Sequence, residues 1–89
     1  MTSKDKLLSK FLRQPESFKY RDIEQILLYL GFIKTFGKGS HVHFGHPLLN
    51  FKIIIPIHNY ECKKYYKKRV SKDIRRLIGE AKKPDNETI

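Results

Sequence analysis

The stretch FIKTFGKGSHVHFGHPLLNFKIIIPI, residues 32–57, decides the fold of this chain. Three β-prone runs follow one another within it, at residues 32–36, 40–44 and 51–57. The turn signal Gly37-Lys38-Gly39 separates the first two runs, and the loop of residues 45–50 joins the last two as a hairpin. Because proline cannot donate a hydrogen bond to a sheet, Pro56 indicates that the third strand lies at an edge or ends there. These residues predict a three-stranded antiparallel sheet.

Two apolar stripes with helical spacing precede this stretch. The first predicts a short helix over residues 4–13 that ends before Pro15, and its members are Leu7, Leu8, Phe11 and Leu12. The second predicts a helix over residues 20–30, and its members are Ile23, Ile26, Leu27 and Leu30. Gly31 stands where a C-terminal cap is expected.

A third helical stripe follows the sheet, and its apolar members are Tyr66, Val70, Ile74, Leu77 and Ile78. The opposite face is basic, with Lys64, Lys68, Lys72 and Arg75. The order α-α-β-β-β-α predicts an α+β fold in which helices cover one layer of sheet. A chain of 89 residues is long enough for one domain, divided into an N-terminal helical extension (1–16), a core (20–80) and a polar tail (82–89).

The charge balance indicates an anionic partner. The 19 Lys and Arg against 9 Asp and Glu give a formal net charge of +10. Residues 63–76 hold eight of these cations and one acid, Asp73, so this segment alone carries 8 − 1 = +7. A nucleic-acid backbone, an anionic lipid surface and an acidic protein would each be attracted.

The composition also excludes several classes of protein. Cys62 is the one cysteine, so no intrachain disulfide can form and a thiolate metal site is disfavoured. The first 13 residues mix lysines with single apolar residues, unlike a signal peptide, and no run is long enough to span a bilayer. We therefore expect a cytoplasmic protein without a membrane anchor or a small-molecule cofactor.

Four histidines fall in or beside the β-rich stretch, at positions 41, 43, 46 and 58. Successive side chains of a strand point to opposite faces. If Val42 and Phe44 face the core, then His41 and His43 share the outer face. We expect Phe44 to pair with Phe51 and Val42 to meet Ile53 in the hairpin. The same outer face is then predicted to hold Lys52, Ile54 and His58.

An outer face with imidazoles and lysines can handle phosphate. An imidazole has an unperturbed pKa of about 6.5, so it can take a proton from a ribose 2′-hydroxyl or give one to a leaving 5′-oxygen. A cation such as Lys38 or Lys52 could stabilise the charge on the phosphate. RNA is favoured over DNA as the substrate because its 2′-hydroxyl supplies a nucleophile.

Three segments together resemble the HicA-type toxins: Leu30-Gly31-Phe32, then Lys38-Gly39-Ser40-His41-Val42-His43-Phe44, then Ile55-Pro56-Ile57-His58. The resemblance covers residue 20 to about residue 78. It implies a fold like that of a double-stranded-RNA-binding domain, an endonuclease activity on mRNA that halts translation, and inhibition by a HicB-type antitoxin. The family's catalytic histidine falls on His41. The N-terminal helix and the more basic last helix, which lacks a Thr-Leu-Arg start, depart from the shorter members.

A further set of residues is expected to contact RNA, and its members are Lys38, Gly39, Ser40, His43, Lys52, His58, Lys63, Lys64, Lys67 and Lys68. Gly37 and Gly39 could be plain turn residues or could let an RNA backbone approach closely, and His58 could equally make a strand-end hydrogen bond. His46 precedes Pro47 in a loop and is expected to be exposed. Cys62 has no evident base partner and is expected to be unreactive.

Other functions stay open at this point. The chain could be a binding module of double-stranded-RNA-binding-like fold that leaves RNA intact, or a protein-interaction domain for an acidic partner. His41 and His43 could hold zinc together with His46 or His58, but no carboxylate or thiolate lies nearby in sequence, so we expect no metal. The free protein is expected to be a monomer.

Overall fold

The computed structural model describes residues 3–82, with side chains for residues 3–79. Its elements are α1 (Ser3–Arg13), a 3₁₀ turn (Pro15–Ser17), α2 (Tyr20–Tyr29), β1 (Ile33–Phe36), β2 (His41–Gly45), β3 (Ile53–Pro56) and α3 (Lys64–Lys82). The predicted order α-α-β-β-β-α and the α+β class are confirmed. Apart from Lys82, the expected polar tail lies outside the described residues.

The strands form one antiparallel sheet in the order β1-β2-β3, so β3 lies at an edge as Pro56 indicated. The side chains alternate as predicted. Val42 and Phe44 are buried, and the outer face carries the exposed His41 and Ile54 and the half-buried His43. The core therefore lies on one side of the sheet, and the histidines of β2 lie on the other.

The register of the hairpin differs from the prediction. Phe44 pairs with Ile53, and Val42 with Ile55, so the expected pairing of Phe44 with Phe51 is wrong by two residues. Phe51 remains outside β3, where the guanidinium carbon of Arg76 lies 5.4 Å from its ring centroid. A shift of two residues leaves every side chain on its predicted face, because the period of a strand is two.

Helix α2 ends at the cap that Gly31 predicted. Gly31 has a φ of +96°, a left-handed conformation that glycine adopts without steric cost. Its N–H donates to the Leu28 carbonyl at 3.1 Å, and the N–H of Phe32 donates to the Leu27 carbonyl at 3.0 Å. This pair of bonds is a Schellman motif, and it turns the chain from α2 into β1.

Helices and sheet enclose one core, to which α1 contributes Phe11, α2 contributes Ile23 and Leu27, and α3 contributes Ile74. Phe11 is fully buried and meets Phe18 edge to face, with ring centroids 5.4 Å apart. The N-terminal helix is therefore part of the domain's packing and not a separate appendage.

Helix α3 places its predicted apolar stripe against this core. Val70, Ile74 and Leu77 are buried, and its basic face is exposed, with Lys64, Lys68, Lys72 and Arg75. The Arg75 guanidinium also donates to the Leu12 carbonyl of α1 at 2.8 Å. Within residues 3–82, no helix has the length and apolar character needed to cross a membrane.

Candidate active site

His41 lies at one end of the sheet, where three elements meet. β1 ends there at Phe36, β2 begins there, and β3 ends at Pro56, which pairs with His41. A shallow surface depression at this end is lined by Phe36, Gly39, Ser40, His41, Val42, Ile57, Asn59 and Tyr60. The Gly-Ser-His triplet therefore borders a concave surface that is open to solvent.

The exposed imidazole of His41 is held by one of its two ring nitrogens. Nδ1 lies 3.1 Å from the main-chain carbonyl oxygen of Lys38. A carbonyl oxygen can only accept, so in the neutral ring Nδ1 carries the hydrogen and donates it. Nε2 has no hydrogen-bond partner among the described residues. The lone pair of Nε2 is consequently available to accept a proton from a bound molecule.

The turn between β1 and β2 orients this ring. The N–H of Gly37 donates to the His41 carbonyl at 3.0 Å, and the N–H of His41 donates to the Lys38 carbonyl at 3.2 Å. Gly39 has a φ of +62°, which would cost another residue about 1–2 kcal/mol. Main chain and side chain of His41 both reach the carbonyl of Lys38, so the turn determines where the imidazole lies.

Gly37 has a role that sequence reasoning missed. A Cβ atom built on Gly37 would lie 2.9 Å from Cδ2 of His43, and nearer still to Nε2. The imidazole of His43 therefore lies against the main chain of Gly37. His43 occupies the centre of the outer face, between Thr35 of β1 and Ile54 of β3. The sequence signal for this contact was a glycine directly after a β-prone run. Only the strand register shows that the side chain of His43 fills the space beside Gly37.

A second tight turn closes the depression. The N–H of His58 donates to the Glu61 carbonyl at 2.8 Å, and the N–H of Glu61 returns a bond of 2.9 Å. Between them, Asn59 and Tyr60 have φ values of +51° and +63°. Two consecutive left-handed residues make this a type I′ turn. This main-chain bond does not use the imidazole of His58, which is exposed, so both roles expected of its side chain stay predictions.

The carboxylate of Glu61 ties this turn to two helices. Its Oε1 accepts from the N–H of Tyr20 at 2.9 Å and from that of Cys62 at 3.0 Å, and it lies 3.2 Å from Nζ of Lys67. Burial pushes the pKa of Glu61 upward, but the hydrogen bonds from Cys62, Tyr20 and Lys67 outweigh burial and hold the pKa below its ordinary value of 4.5. The turn is therefore anchored by an ionised group.

The lysines expected to contact phosphate differ in their exposure and in their distance from His41. Lys67 is 8% exposed and its ammonium is engaged by Glu61, so it is placed to support the fold. Lys52 precedes Ile53 at the opposite end of the sheet, about 13 Å along the strands from His41. Exposed lysines stand in the turn beside His41 and at the start of α3, and they are Lys38, Lys63, Lys64 and Lys68.

His46 is a structural residue, and the expectation of an exposed side chain is wrong. Its Nε2 donates to the Leu30 carbonyl at 3.0 Å, and its Nδ1 accepts from the N–H of Leu48 at 3.1 Å. The ring also meets Phe32 edge-on, with centroids 4.9 Å apart. The β2–β3 loop thus folds back to satisfy a carbonyl at the end of α2, which no local pattern indicates.

Neither metal binding nor thiol chemistry gains support from the side chains at hand. In the part of the chain that the structure describes, no group of three or more His, Cys, Asp or Glu residues is arranged to hold a metal ion. Burial raises the pKa of the Cys62 thiol to about 11, although Lys67 lowers it and Glu61 raises it further. At neutral pH this cysteine is a thiol, which is a poor nucleophile.

These observations define a class of protein, a small basic α+β domain with an exposed, oriented histidine at the end of an antiparallel sheet. The sequence model of one family, described as HicA toxin of bacterial toxin-antitoxin, matches residues 20–75. The chain belongs to this family: it is a HicA-type toxin of a toxin–antitoxin system, and its partner is of the antitoxin kind. The matched segment includes the whole sheet and every residue that lines the depression.

No curated protein and no solved structure matches this chain. The likeness to a double-stranded-RNA-binding domain therefore stays a prediction, whereas the resemblance to the HicA toxins is confirmed.

Proposed function

We propose that this toxin is an endoribonuclease that cleaves mRNA with His41 as its proton-transfer residue. The observation that carries the proposal is the exposed imidazole of His41, whose Nδ1 donates to the Lys38 carbonyl while Nε2 is available. Membership of the HicA toxin family supports this proposal. The resemblance of residues 38–44 to the family implies that the family's catalytic histidine falls on His41.

The proposed reaction uses the substrate's own hydroxyl as the nucleophile. The ribose 2′-oxygen bonds to the adjacent phosphorus, the bond from phosphorus to the 5′-oxygen breaks, and the 2′-proton leaves. Nε2 of His41 accepts that proton while water protonates the departing 5′-oxygen or, in the protonated ring, delivers a proton to the 5′-oxygen while water takes the 2′-proton. The products are a 2′,3′-cyclic phosphate and a 5′-hydroxyl end. The scheme requires no metal ion, so cleavage is expected to persist in EDTA.

Phosphate groups of the bound RNA would be held by main-chain and cationic groups around His41. Beside His41 we place Lys38, Gly39, Ser40 and His58; along the outer face, His43 and the more distant Lys52; and at the start of α3, Lys63, Lys64 and Lys68. Lys67 is left out of this set because Glu61 engages its ammonium. Each exposed lysine is expected to add a salt-sensitive contribution to RNA affinity.

The antitoxin is proposed to be a HicB-like protein that inhibits cleavage by covering this surface. A chain with a formal net charge of +10 and an exposed active-site imidazole is well matched by an acidic partner. The purified complex should therefore cleave RNA far more slowly than the free toxin. Equal rates for the two would rule out an inhibitory role.

The central experiment incubates the purified toxin with a long mRNA in EDTA, beside the His41→Ala variant. Only the wild type should fragment the RNA, and the loss in rate should be about 100-fold or more, the usual contribution of general acid–base catalysis. The same RNA with 2′-deoxy sugars should be bound and remain intact, because the nucleophile is missing. Circular dichroism and thermal unfolding serve as controls that His41→Ala is folded.

The other outcomes point to different functions. RNA that is bound by both proteins and cleaved by neither would favour a binding module without catalysis. Equal cleavage by both would mean that another residue, or a contaminating nuclease, breaks the RNA.

A further inference from the structure

Two aromatic rings beside His41 are exposed to solvent and have no role in the core. Phe36 is 79% exposed and Tyr60 is 92% exposed, and both line the depression that His41 borders. Apolar side chains stabilise a fold when they are removed from water, so rings this exposed contribute little to folding. Their position at the candidate active site calls for another explanation.

Tyr60 is held in a main-chain conformation that disfavours it. Its φ of +63° lies in the left-handed region, where bulky residues are uncommon. Tyr60 is the second central residue of the type I′ turn, a position at which glycine is preferred. The carboxylate of Glu61 anchors this turn to α2 and α3, so the position of Tyr60 is built into the fold. Unfavourable conformations of this kind concentrate at functional sites.

Phe36 is oriented by Lys34, whose ammonium is held in an ion pair. Nζ of Lys34 lies over the Phe36 ring, 5.1 Å from its centroid, and 2.8 Å from Oε1 of Glu24. The strand register puts Phe36 on the face of the sheet that the helices cover and His41 on the opposite, outer face. Because both residues line the depression, it extends around the end of the sheet from one face to the other. A ring that is already oriented loses less freedom when a flat group stacks on it.

We propose that Phe36 and Tyr60 bind unpaired nucleobases of the RNA by stacking and thereby position a phosphate at His41. This inference rests on the proposed ribonuclease function and adds its specificity for single-stranded substrate. Every base has a π face, so aromatic platforms hold single strands without sequence preference. Among the described residues that line the depression there is no carboxylate to repel phosphate, and the exposed Lys38 lies in the adjoining turn.

The test measures the affinity of a short single-stranded oligoribonucleotide by fluorescence anisotropy, with every protein carrying His41→Ala. Tyr60→Gly and Phe36→Ser should each weaken binding about 5- to 100-fold, whereas Tyr60→Phe should keep full affinity. Tyr29→Ser is the matched control, because Tyr29 is an exposed aromatic on α2 outside the depression, and its affinity should not change. Tyr60→Gly should unfold at the same or a higher temperature, because glycine suits this φ.

An abasic oligoribonucleotide of the same length gives a second readout. It should bind the proteins with intact rings at least as weakly as the intact oligonucleotide binds Tyr60→Gly, because it offers no base to either ring. Unchanged RNA affinity in both aromatic variants would overturn the stacking role. If the same variants kept their RNA affinity but bound the antitoxin more weakly in a parallel assay, the rings would be assigned to the protein interface instead. Because affinity is compared without cleavage, a failure of stacking can be distinguished from a failure of the ribonuclease assignment.

Discussion

At the residue scale, His41 and His46 both donate a ring N–H to a main-chain carbonyl, but only His46 also uses its second nitrogen within the fold. Both belong to the segment HVHFGH, residues 41–46, and nothing in that pattern separates a reactive imidazole from a structural one. The difference lies in the partners, because a histidine with both nitrogens bonded has none left for a substrate.

His46→Ala should lower the free energy of unfolding by about 1–3 kcal/mol, because the Leu30 carbonyl and the Leu48 N–H lose their partner. Urea denaturation followed by circular dichroism measures the change. His58→Ala is the matched control, since its side chain is exposed, and it should stay within about 0.5 kcal/mol of the wild type. Equal effects of the two substitutions would contradict a structural role for His46.

Gly37→Ala should move the imidazole of His43, because a Cβ atom at position 37 would overlap the ring. The expected result is a changed ring resonance of His43 in NMR spectra and weaker RNA binding. Gly79→Ala is the matched control, since a Cβ atom there meets nothing within 4 Å. If Gly37→Ala left the His43 resonance where it is in the wild type, the close contact would not exist in solution.

At the element scale, helix α1 lies outside the matched segment of residues 20–75 and still contributes the fully buried Phe11. Phe11→Ala should lower the free energy of unfolding by about 3–5 kcal/mol, the range for removing a buried aromatic ring. Ser9→Ala, an exposed position on the same helix, should change it by less than about 0.5 kcal/mol. A small effect of Phe11→Ala would show that α1 is dispensable for the packing of the domain.

The turn of residues 58–61 should be sensitive to acid, because the pKa of Glu61 is held below 4.5 by its hydrogen bonds despite burial. A lowered carboxyl pKa contributes stability that is complete above pH 4.5 and is lost as pH falls through the folded-state value. Glu61→Gln should therefore be less stable than the wild type at pH 7, and the gap should close on acidification. Thermal unfolding across pH measures it, with the exposed Glu16→Gln as a control that should show no gap.

At the scale of the whole molecule, residues 63–76 carry +7 of the formal net charge of +10, and this segment begins three residues after Tyr60, which lines the depression. For single-stranded RNA, each neutralised phosphate changes the slope of log affinity against log salt by about 0.7. Replacing Lys63 and Lys64 by Ala should therefore flatten this slope by up to about 1.4. The double variant at Lys6 and Lys10, exposed on α1, is the control, and an equal change there would indicate non-specific attraction only.

The sequence by itself determined the number and order of the α-helices and strands and the faces of the strands. Periodicities of 3.6 and 2 are local properties, so the stripe of α3, the Gly31 cap and the burial of Val42 and Phe44 follow from neighbouring residues. The motif around His41 was also enough to indicate the family, whose sequence model matches residues 20–75.

Only the tertiary structure decided what depends on residues distant along the chain. The two-residue offset of the hairpin, the contact of His43 with Gly37 and the burial of Lys67 beside Glu61 each join separate elements. The exposure of Phe36 and Tyr60 beside His41 belongs to the same group. Local periodicity assigns a side chain to a face, but its partners and its solvent exposure are determined when the elements pack. These are the properties on which the chemistry proposed for His41 depends.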